Sequence, residues 1–195
     1  MSTARIAYFG YGSLVNLDSL RTPYISAHRA RLTGWQRVWL ARPRVEGSFA
    51  AIDGLAFLSA ERNDEAEIDG MVIVDHRTSL PDLDEREALY SRVTLTSTDV
   101  EFLDGSPLDE DDELFLYVAD PPAVAGKASI LLSYLDVVMQ GYFKHFGEDG
   151  LKRFVETTAN FNCPIKDDRE EPLYPRSVVV SEAETALFAR CFEAG

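Results

Sequence analysis

The pattern of apolar and polar positions along the chain predicts many short strands. Runs that are apolar, or that alternate between apolar and polar residues, are separated by glycines and acidic turns, which is typical of strands. These runs lie at residues 5–9, 29–33, 35–42, 50–60, 68–75, 93–103 and 113–119. Their close spacing favours a barrel or a strongly curved sheet over alternating strand–helix–strand units.

Helical periodicity is found in fewer places. Pro81 suits the first turn of a helix, Gly147 suits the end of one, and Ser181-x-x-Glu184 is a capping box. The predicted helices cover residues 81–91, 127–146 and 150–158, and a last helix follows the capping box. We therefore predict an α+β fold in which helices surround a small mixed β-barrel of six or seven strands.

The length and composition fit a globular protein with a substantial core. The chain has 195 residues, of which 46% are hydrophobic and 27% are charged. We predict a single domain over residues 1–195, in which residues 159–195 form a C-terminal extension packed on the rest. No apolar run approaches the ~20 residues that span a bilayer. The N-terminal residues have neither a basic region with a long apolar stretch nor a cleavage site. We expect a cytoplasmic protein with no membrane partner.

Charge and cysteine usage narrow the choice of ligand. The formal net charge of −14 argues against a nucleic-acid partner, because binding phosphates needs a basic surface. Cys163 and Cys191 form no disulfide or metal-binding pattern, and we expect both to be small buried hydrophobes. The three histidines are isolated in sequence: His28, His76 and His145. We predict no metal and no cofactor, and a small molecule is the expected partner. The oligomeric state is left open.

The first segment with candidate chemistry is the glycine loop after the first predicted strand, Tyr11-Gly12-Ser13-Leu14. Glycine lets a ligand approach the backbone closely, and successive N–H groups in such a turn can bind a carboxylate or an oxyanion. A dinucleotide fingerprint needs glycine or alanine where Val15 stands, and a phosphate-binding P-loop needs a lysine that is absent. The alternative is a tight turn with a purely structural role.

The second segment is the helix predicted after Pro81. Residues three and four apart share a helix face. One such face carries Leu80, Leu83, Glu87 and Tyr90, while Asp82, Glu85 and Arg86 are expected to point towards water. Glu87 is therefore directed towards the packed side of the helix, where a half-buried carboxyl group suits proton transfer. The alternative is that Glu87 forms a structural ion pair with Arg86 or Arg92.

Both segments resemble signatures of the γ-glutamylcyclotransferase-like family. The loop Tyr11-Gly12-Ser13-Leu14 is similar to the family's Tyr-Gly-Ser-Leu motif, and Leu83-Asp84-x-x-Glu87 is similar to its Leu-Asp-x-x-Glu segment. The resemblance covers residues 6–141 in pattern. It implies that the backbone amides of the loop hold a γ-glutamyl group and that Glu87 is the catalytic acid–base. The implied substrate-binding residues are Tyr11, Gly12, Ser13, Leu14 and Tyr90.

The reaction that the resemblance implies is an internal cyclisation. The substrate's own α-amine attacks its side-chain carbonyl, forms 5-oxoproline and expels the attached amine or amino acid, without an enzyme nucleophile or a metal. Glutathione, γ-glutamyl amino acids and γ-glutamylamines are all substrates of the right class. The alternative is a non-catalytic protein of the same fold that binds a small molecule.

Four other side chains are ambiguous from the sequence. Ser13 lacks the Gly-x-Ser-x-Gly elbow, so we interpret it as a binding residue and not as a nucleophile. Tyr134 is either part of the core or a residue that faces the substrate. Arg169 and Arg176 either bind a substrate carboxylate as planar bidentate donors or form surface ion pairs with neighbouring acids.

Overall fold

A mixed β-sheet forms the centre of the molecule. The computed structural model describes residues 4–41, 54–119 and 128–193. The strands are β1 (Arg5–Gly10), β2 (Ser26–Ala41), β3 (Ala56–His76), β4 (Tyr90–Thr94), β5 (Val100–Phe102), β6 (Glu113–Ala119), β7 (Ile130–Leu131), β8 (Thr158–Ala159) and β9 (Ile165–Lys166). Seven strands form the main sheet, and β7 and β9 pair with each other in a second, two-stranded sheet. The α+β class is therefore confirmed.

The order of strands in the main sheet is β4-β6-β1-β3-β2-β5, with β8 paired to β2. The central strand β1 runs antiparallel to β3 and parallel to β6. Its side chains are almost fully buried after the first residue. Within the part of the chain that the structure describes, β4 and β5 lie at opposite ends of this order and do not pair. The predicted closure into a barrel is therefore not confirmed.

Strands β2 and β3 are each longer than the sequence pattern predicted. They pair with each other on both sides of a break in the register, at which Thr33 pairs with Glu67 and Trp35 pairs with Arg62. Gly34 lies at this irregularity with a φ of 76°. The glycine therefore marks a bulge within one strand, whereas the sequence analysis predicted two strands around it. Residues 42 and 50–53 of the predicted strands lie outside the described residues.

The helices are α1 (Leu80–Arg86), α2 (Leu132–Glu156) and α3 (Glu182–Glu193). Gly147 has a φ of 66° inside α2, so two helices meet there, as the predicted stop and the following predicted helix require. The capping box is confirmed: the backbone N–H of Ser181 donates to Glu184 Oε2 at 2.8 Å, and that of Glu184 donates to Ser181 Oγ at 3.2 Å. Residue 127 of the predicted helix lies outside the described residues. No described helix has the length and apolar character needed to cross a membrane.

Other predicted elements also have different bounds in the structure. The helix predicted over residues 127–146 begins at Leu132, because Ile130–Leu131 form β7. Helix α1 ends at Arg86, and Tyr90 already begins β4, so Tyr90 is not on the helix face that the sequence analysis gave it. The strand predicted over residues 93–103 is divided between β4 and β5. A turn separates them, in which Asp99 accepts hydrogen bonds from the backbone N–H and the hydroxyl of Thr96.

The C-terminal half of the chain is attached to the sheet through a buried arginine. Arg37 of β2 is about 1% exposed. Its guanidinium donates to the backbone oxygen of Asp69 at 2.9 Å, to Tyr142 Oη at 2.7 Å and to Thr158 Oγ1 at 3.1 Å. Because a buried cation is costly without polar partners, these bonds hold α2 and β8 in place on the sheet. The division of the chain into a domain and an extension stays a prediction.

Helix α2 also packs closely against the loop that follows β1. The side-chain amide of Asn16 donates to the backbone oxygen of Val137 at 3.0 Å and to Gln140 Oε1 at 3.1 Å. A Cβ atom at Gly141 would lie 2.6 Å from the backbone nitrogen of Asn16. The absence of a side chain at Gly141 therefore lets the helix backbone contact the loop backbone directly.

We expect the Gly141→Ala substitution to lower the free energy of unfolding by about 1–3 kcal/mol, because the added methyl group overlaps backbone atoms that cannot rotate away. In an unconstrained helix the same substitution would stabilise the protein. Thermal or denaturant unfolding measures the change. Glu148→Ala, at an exposed position just after the kink at Gly147, is the control and should change stability by no more than about 0.5 kcal/mol. An unchanged or increased stability of Gly141→Ala would contradict the close contact.

Candidate active site

A cavity of about 500 Å³ lies between the C-terminal end of α1 and the loop after β1. A smaller recess of about 30 Å³ adjoins it and shares Ser13, Glu87, Tyr90 and Tyr134 with it. The recess is lined by Phe9, Tyr11, Gly12, Ser13, Leu14, Leu58, Glu87, Tyr90, Tyr117 and Tyr134. All six residues that the sequence analysis named for the site, Glu87 included, are therefore neighbours of one recess. Their roles stay predictions.

The glycine loop enters the recess directly from the central strand. After β1 the chain makes a 3₁₀ turn over Ser13–Val15, in which the backbone N–H of Val15 donates to the oxygen of Gly12 at 3.0 Å. The N–H groups of Ser13 and Leu14 open this turn and so have no acceptor within it. The loop therefore has backbone donors available at its start, next to Glu87.

Gly12 is required by the packing of the recess. A Cβ atom at Gly12 would lie 2.9 Å from Tyr134 Oη and 3.3 Å from Leu58 Cδ2. Tyr134 is held by edge-to-face contacts with Trp39 and Tyr174, at ring-centroid distances of 6.0 and 4.9 Å. The tyrosine cannot easily move away, so any larger residue at position 12 meets it.

Glu87 is positioned by the turn that ends α1. Its backbone N–H donates to the oxygen of Leu83 at 3.0 Å, and its own oxygen accepts from the N–H of Tyr90 at 2.7 Å. Its φ and ψ of −101° and 26° are no longer helical. The sequence analysis placed Glu87 and Tyr90 together correctly but for the wrong reason, because a tight turn and not a shared helix face brings them together.

Arg86 connects the carboxyl group of Glu87 to the loop that follows β1. Its Nε lies 3.1 Å from Glu87 Oε1, and the two side chains are 9% and 14% exposed. Its Nη2 donates to Ser19 Oγ at 3.3 Å and reaches Ser13 Oγ at 3.5 Å. The expectation that Arg86 points towards water is wrong. The ion pair that was the alternative for Glu87 is present, whereas Arg92 pairs with Asp84 at 3.3 Å.

Tyrosine hydroxyl groups surround the recess and are fixed by hydrogen bonds. Tyr11 Oη donates to the backbone oxygen of Tyr117 at 2.6 Å, and Tyr90 Oη donates to that of Leu58 at 3.0 Å. Burial raises the pKa of Tyr11 and of Tyr134 well above the usual value, with a further contribution from the nearby Tyr90. Both phenols therefore stay neutral near pH 7.

The two C-terminal arginines that the sequence left ambiguous have different environments. Arg169 binds the buried carboxylate of Asp136 through Nε and Nη2, each at 2.7 Å. Arg169 thus forms a structural ion pair with an acid of α2, whereas the sequence analysis offered its neighbours in the chain as partners. Arg176 lies on the wall of the large cavity together with Tyr174 and Pro175. The sequence analysis did not name Tyr174, which has no motif to identify it.

The remaining titratable residues were compared with the requirements of a metal site and of a reactive thiol. In the described ranges no group of three or more His, Cys, Asp or Glu side chains could hold a metal ion. Cys191 is buried as expected, Cys163 is only half-buried, and both are free thiols. Burial raises the pKa of both thiols, which disfavours the reactive thiolate.

Comparisons with known proteins identify the fold. No protein-family model matches the sequence, and no curated protein sequence matches it significantly. Among solved structures, a protein described as gamma-glutamyl cyclotransferase superposes with a TM-score of 0.59 at 15% identity, over 95% of this chain and 99% of that chain. An uncharacterized protein from Homo sapiens superposes with a TM-score of 0.56 at 17% identity, over 95% of this chain and 98% of that chain. YkqA from Bacillus subtilis superposes with a TM-score of 0.57 at 16% identity, over 83% of this chain and 56% of that chain.

These similarities define the architecture of the chain. Both the first and the second of these structures are covered almost completely, so the likeness extends over the whole arrangement and not over a single motif. The chain has the fold of the gamma-glutamyl cyclotransferase to which it is similar. The fold that the resemblance of two short motifs implied is confirmed.

We expect Gly12→Ala to lower the free energy of unfolding by about 1–3 kcal/mol, because the new methyl group overlaps Tyr134 Oη. The double variant Gly12→Ala/Tyr134→Phe removes that oxygen. Gly12→Ala should therefore lower the free energy of unfolding by at least about 1 kcal/mol less in the Tyr134→Phe background than in the wild-type background. Denaturant unfolding of the four proteins measures the coupling. Equal costs in both backgrounds would contradict the proposed contact.

Proposed function

We propose that the protein is an enzyme that cyclises a γ-glutamyl amide to 5-oxoproline and releases an amine or an amino acid, with Glu87 as the general acid–base. The observation that carries the proposal is that the glycine loop and the half-buried Glu87 line the same recess. The fold shared with a protein described as gamma-glutamyl cyclotransferase supports it.

The proposed chemistry needs one proton shuttle and no external nucleophile. Glu87 accepts a proton from the substrate's α-ammonium group, and the free amine attacks the γ-carbonyl carbon. The new C–N bond closes a five-membered ring and gives a tetrahedral oxyanion. The oxyanion collapses and the original C–N bond breaks as Glu87 gives its proton to the leaving nitrogen. The ionised Glu87 then takes the second proton from the ring nitrogen and passes it to the released amine, which leaves as an ammonium group. No water is consumed.

The enzyme's main task in this scheme is to hold a folded-back substrate. Well-oriented intramolecular reactions gain effective molarities on the order of 10⁵–10⁸ M, so a rigid recess is itself catalytic. The N–H groups of Ser13 and Leu14 would bind the substrate's carboxylate or the developing oxyanion. The hydroxyl groups of Tyr11 and Tyr90 already donate to backbone oxygens, so these tyrosines would shape the recess more than they bind the ligand.

Arg86 has a positioning role in this proposal. A carboxyl group that moves a proton between two nitrogens must be held in a defined direction. The contact of Arg86 with Glu87 Oε1 fixes that direction, and its contacts with Ser19 fix the arginine itself.

We expect Glu87→Gln to reduce 5-oxoproline release by about 10²–10⁴-fold, because the amide keeps the shape of the side chain but cannot shuttle a proton. Release is measured with glutathione, a γ-glutamyl amino acid and a γ-glutamylamine as substrates. Thermal unfolding establishes that the variant is folded. Glu110→Gln, which changes an exposed carboxylate that lines neither the cavity nor the recess, is the matched control and should keep its activity.

Two outcomes would contradict this proposal in different ways. Undiminished turnover by Glu87→Gln removes Glu87 from the mechanism while leaving the activity in place. Tight binding of 5-oxoproline or of a γ-glutamyl compound, with no turnover by the wild-type protein, would instead favour the alternative of a non-catalytic binding protein.

A further inference from the structure

We propose that Arg176 binds a carboxylate on the leaving-group side of the substrate, so that the enzyme prefers γ-glutamyl amino acids and peptides to γ-glutamylamines. This inference rests on the proposed cyclisation and names its substrate class. It is carried by the position, the surroundings and the ionic partners of one arginine.

Arg176 lies where the leaving group of a bound substrate would extend. The recess that contains the glycine loop and Glu87 is small, and Arg176 is not among the residues that line it. Arg176 belongs to the wall of the large cavity that continues from the recess past Glu87. A γ-glutamyl group that reaches from the large cavity into the recess, next to Glu87, would therefore leave its amide substituent in the large cavity, whose wall includes Arg176.

The guanidinium of Arg176 is available to a ligand. The other arginine on the cavity wall, Arg86, is already paired with Glu87. In the described part of the chain no carboxylate forms an ion pair with Arg176, although the residue is half-buried. Arginine presents paired N–H donors that match the two oxygens of a carboxylate. A half-buried cation without an anion in a cavity is therefore a suitable carboxylate site.

The backbone around Arg176 is held firmly, as a binding residue requires. Tyr174 is buried, contacts the ring of Tyr134 and donates its N–H to Ser133 Oγ at 3.3 Å. The N–H of Ser177 donates to the oxygen of Tyr174 at 3.1 Å and closes a turn around Arg176. On the other side, Arg21 donates to the oxygen of Pro175 at 2.9 Å.

Two acidic side chains on the cavity wall favour the opposite preference. Asp82 and Glu85 are exposed, and an exposed charge is strongly screened by solvent. Arg176 is less exposed than either, so its interaction with a bound carboxylate is screened less. The geometry therefore favours an anionic leaving group over a cationic one.

The test uses two substrates that differ in one group. γ-Glutamylalanine and γ-glutamylethylamine have the same reacting bond, but only the first carries a carboxylate on the leaving group. We expect Arg176→Gln to lower kcat/KM for γ-glutamylalanine about 10–100-fold more than for γ-glutamylethylamine, chiefly through KM, because a charged hydrogen-bonded contact is lost. Arg176→Lys should restore part of the difference. Arg77→Gln, an exposed arginine paired with Glu113, is the control.

The outcomes separate this inference from the proposed function. Equal losses on the two substrates would overturn the inference, since Arg176 would then act on the shared γ-glutamyl part. No loss on either substrate would overturn it as well. A preference of the wild-type protein for γ-glutamylethylamine would also overturn it, and would assign the specificity to Asp82 and Glu85. If the wild-type protein releases 5-oxoproline from neither substrate, the proposed function fails, and the preference falls with it.

Discussion

The direct contact between the backbone of α2 and the loop after β1 is the constraint on which the rest of the site depends. The loop residue Asn16 is fully buried and bound to the helix, and Gly141 leaves no space between the two backbones. This contact fixes the distance between the loop and α2. The same helix also places the Tyr134 hydroxyl group against Gly12. Because Arg37 ties Tyr142 of α2 to the sheet, the loop is held between two elements that cannot move independently.

The pair Arg86 and Glu87 shows why an ion pair does not by itself exclude a catalytic role. A purely structural pair would serve to neutralise a buried charge. Here Arg86 also contacts Ser19 and approaches Ser13, so the arginine joins the end of α1 to the glycine loop. The interaction therefore sets the distance between the carboxyl group and the loop donors. That distance is what an intramolecular cyclisation requires the enzyme to control.

Much of the fold and of the recess was predictable from the sequence because local signals determine them. The capping box at Ser181 and the stop at Gly147 depend on residues within one turn of the chain. Other elements were mispredicted because pairing overrode the pattern. Residues 61–67 are mostly polar and largely exposed, yet they continue β3. Glu61, Arg62 and Glu67 pair with β2, and residues 63–66 lie at the break in the register. Arg86 was misplaced for a different reason: its guanidinium contacts Glu87, just after the end of α1, and Ser19, 67 residues away in the sequence, and helical periodicity describes neither contact.

The wall of the large cavity could not be predicted, because contacts across long sequence separations build it. Asp136 on α2 is 3% exposed, and an uncompensated carboxylate at that depth would be strongly destabilising. Arg169 supplies the compensation, and Asp168 binds the backbone N–H and the hydroxyl of Ser133. These two neighbouring residues fix the register of the C-terminal segment on α2. Arg169 is thereby committed to Asp136, whereas Arg176, seven residues later, lies on the cavity wall. Both arginines are half-buried, so their different partners, and not their depth, separate the structural arginine from the one for which we propose a role in specificity.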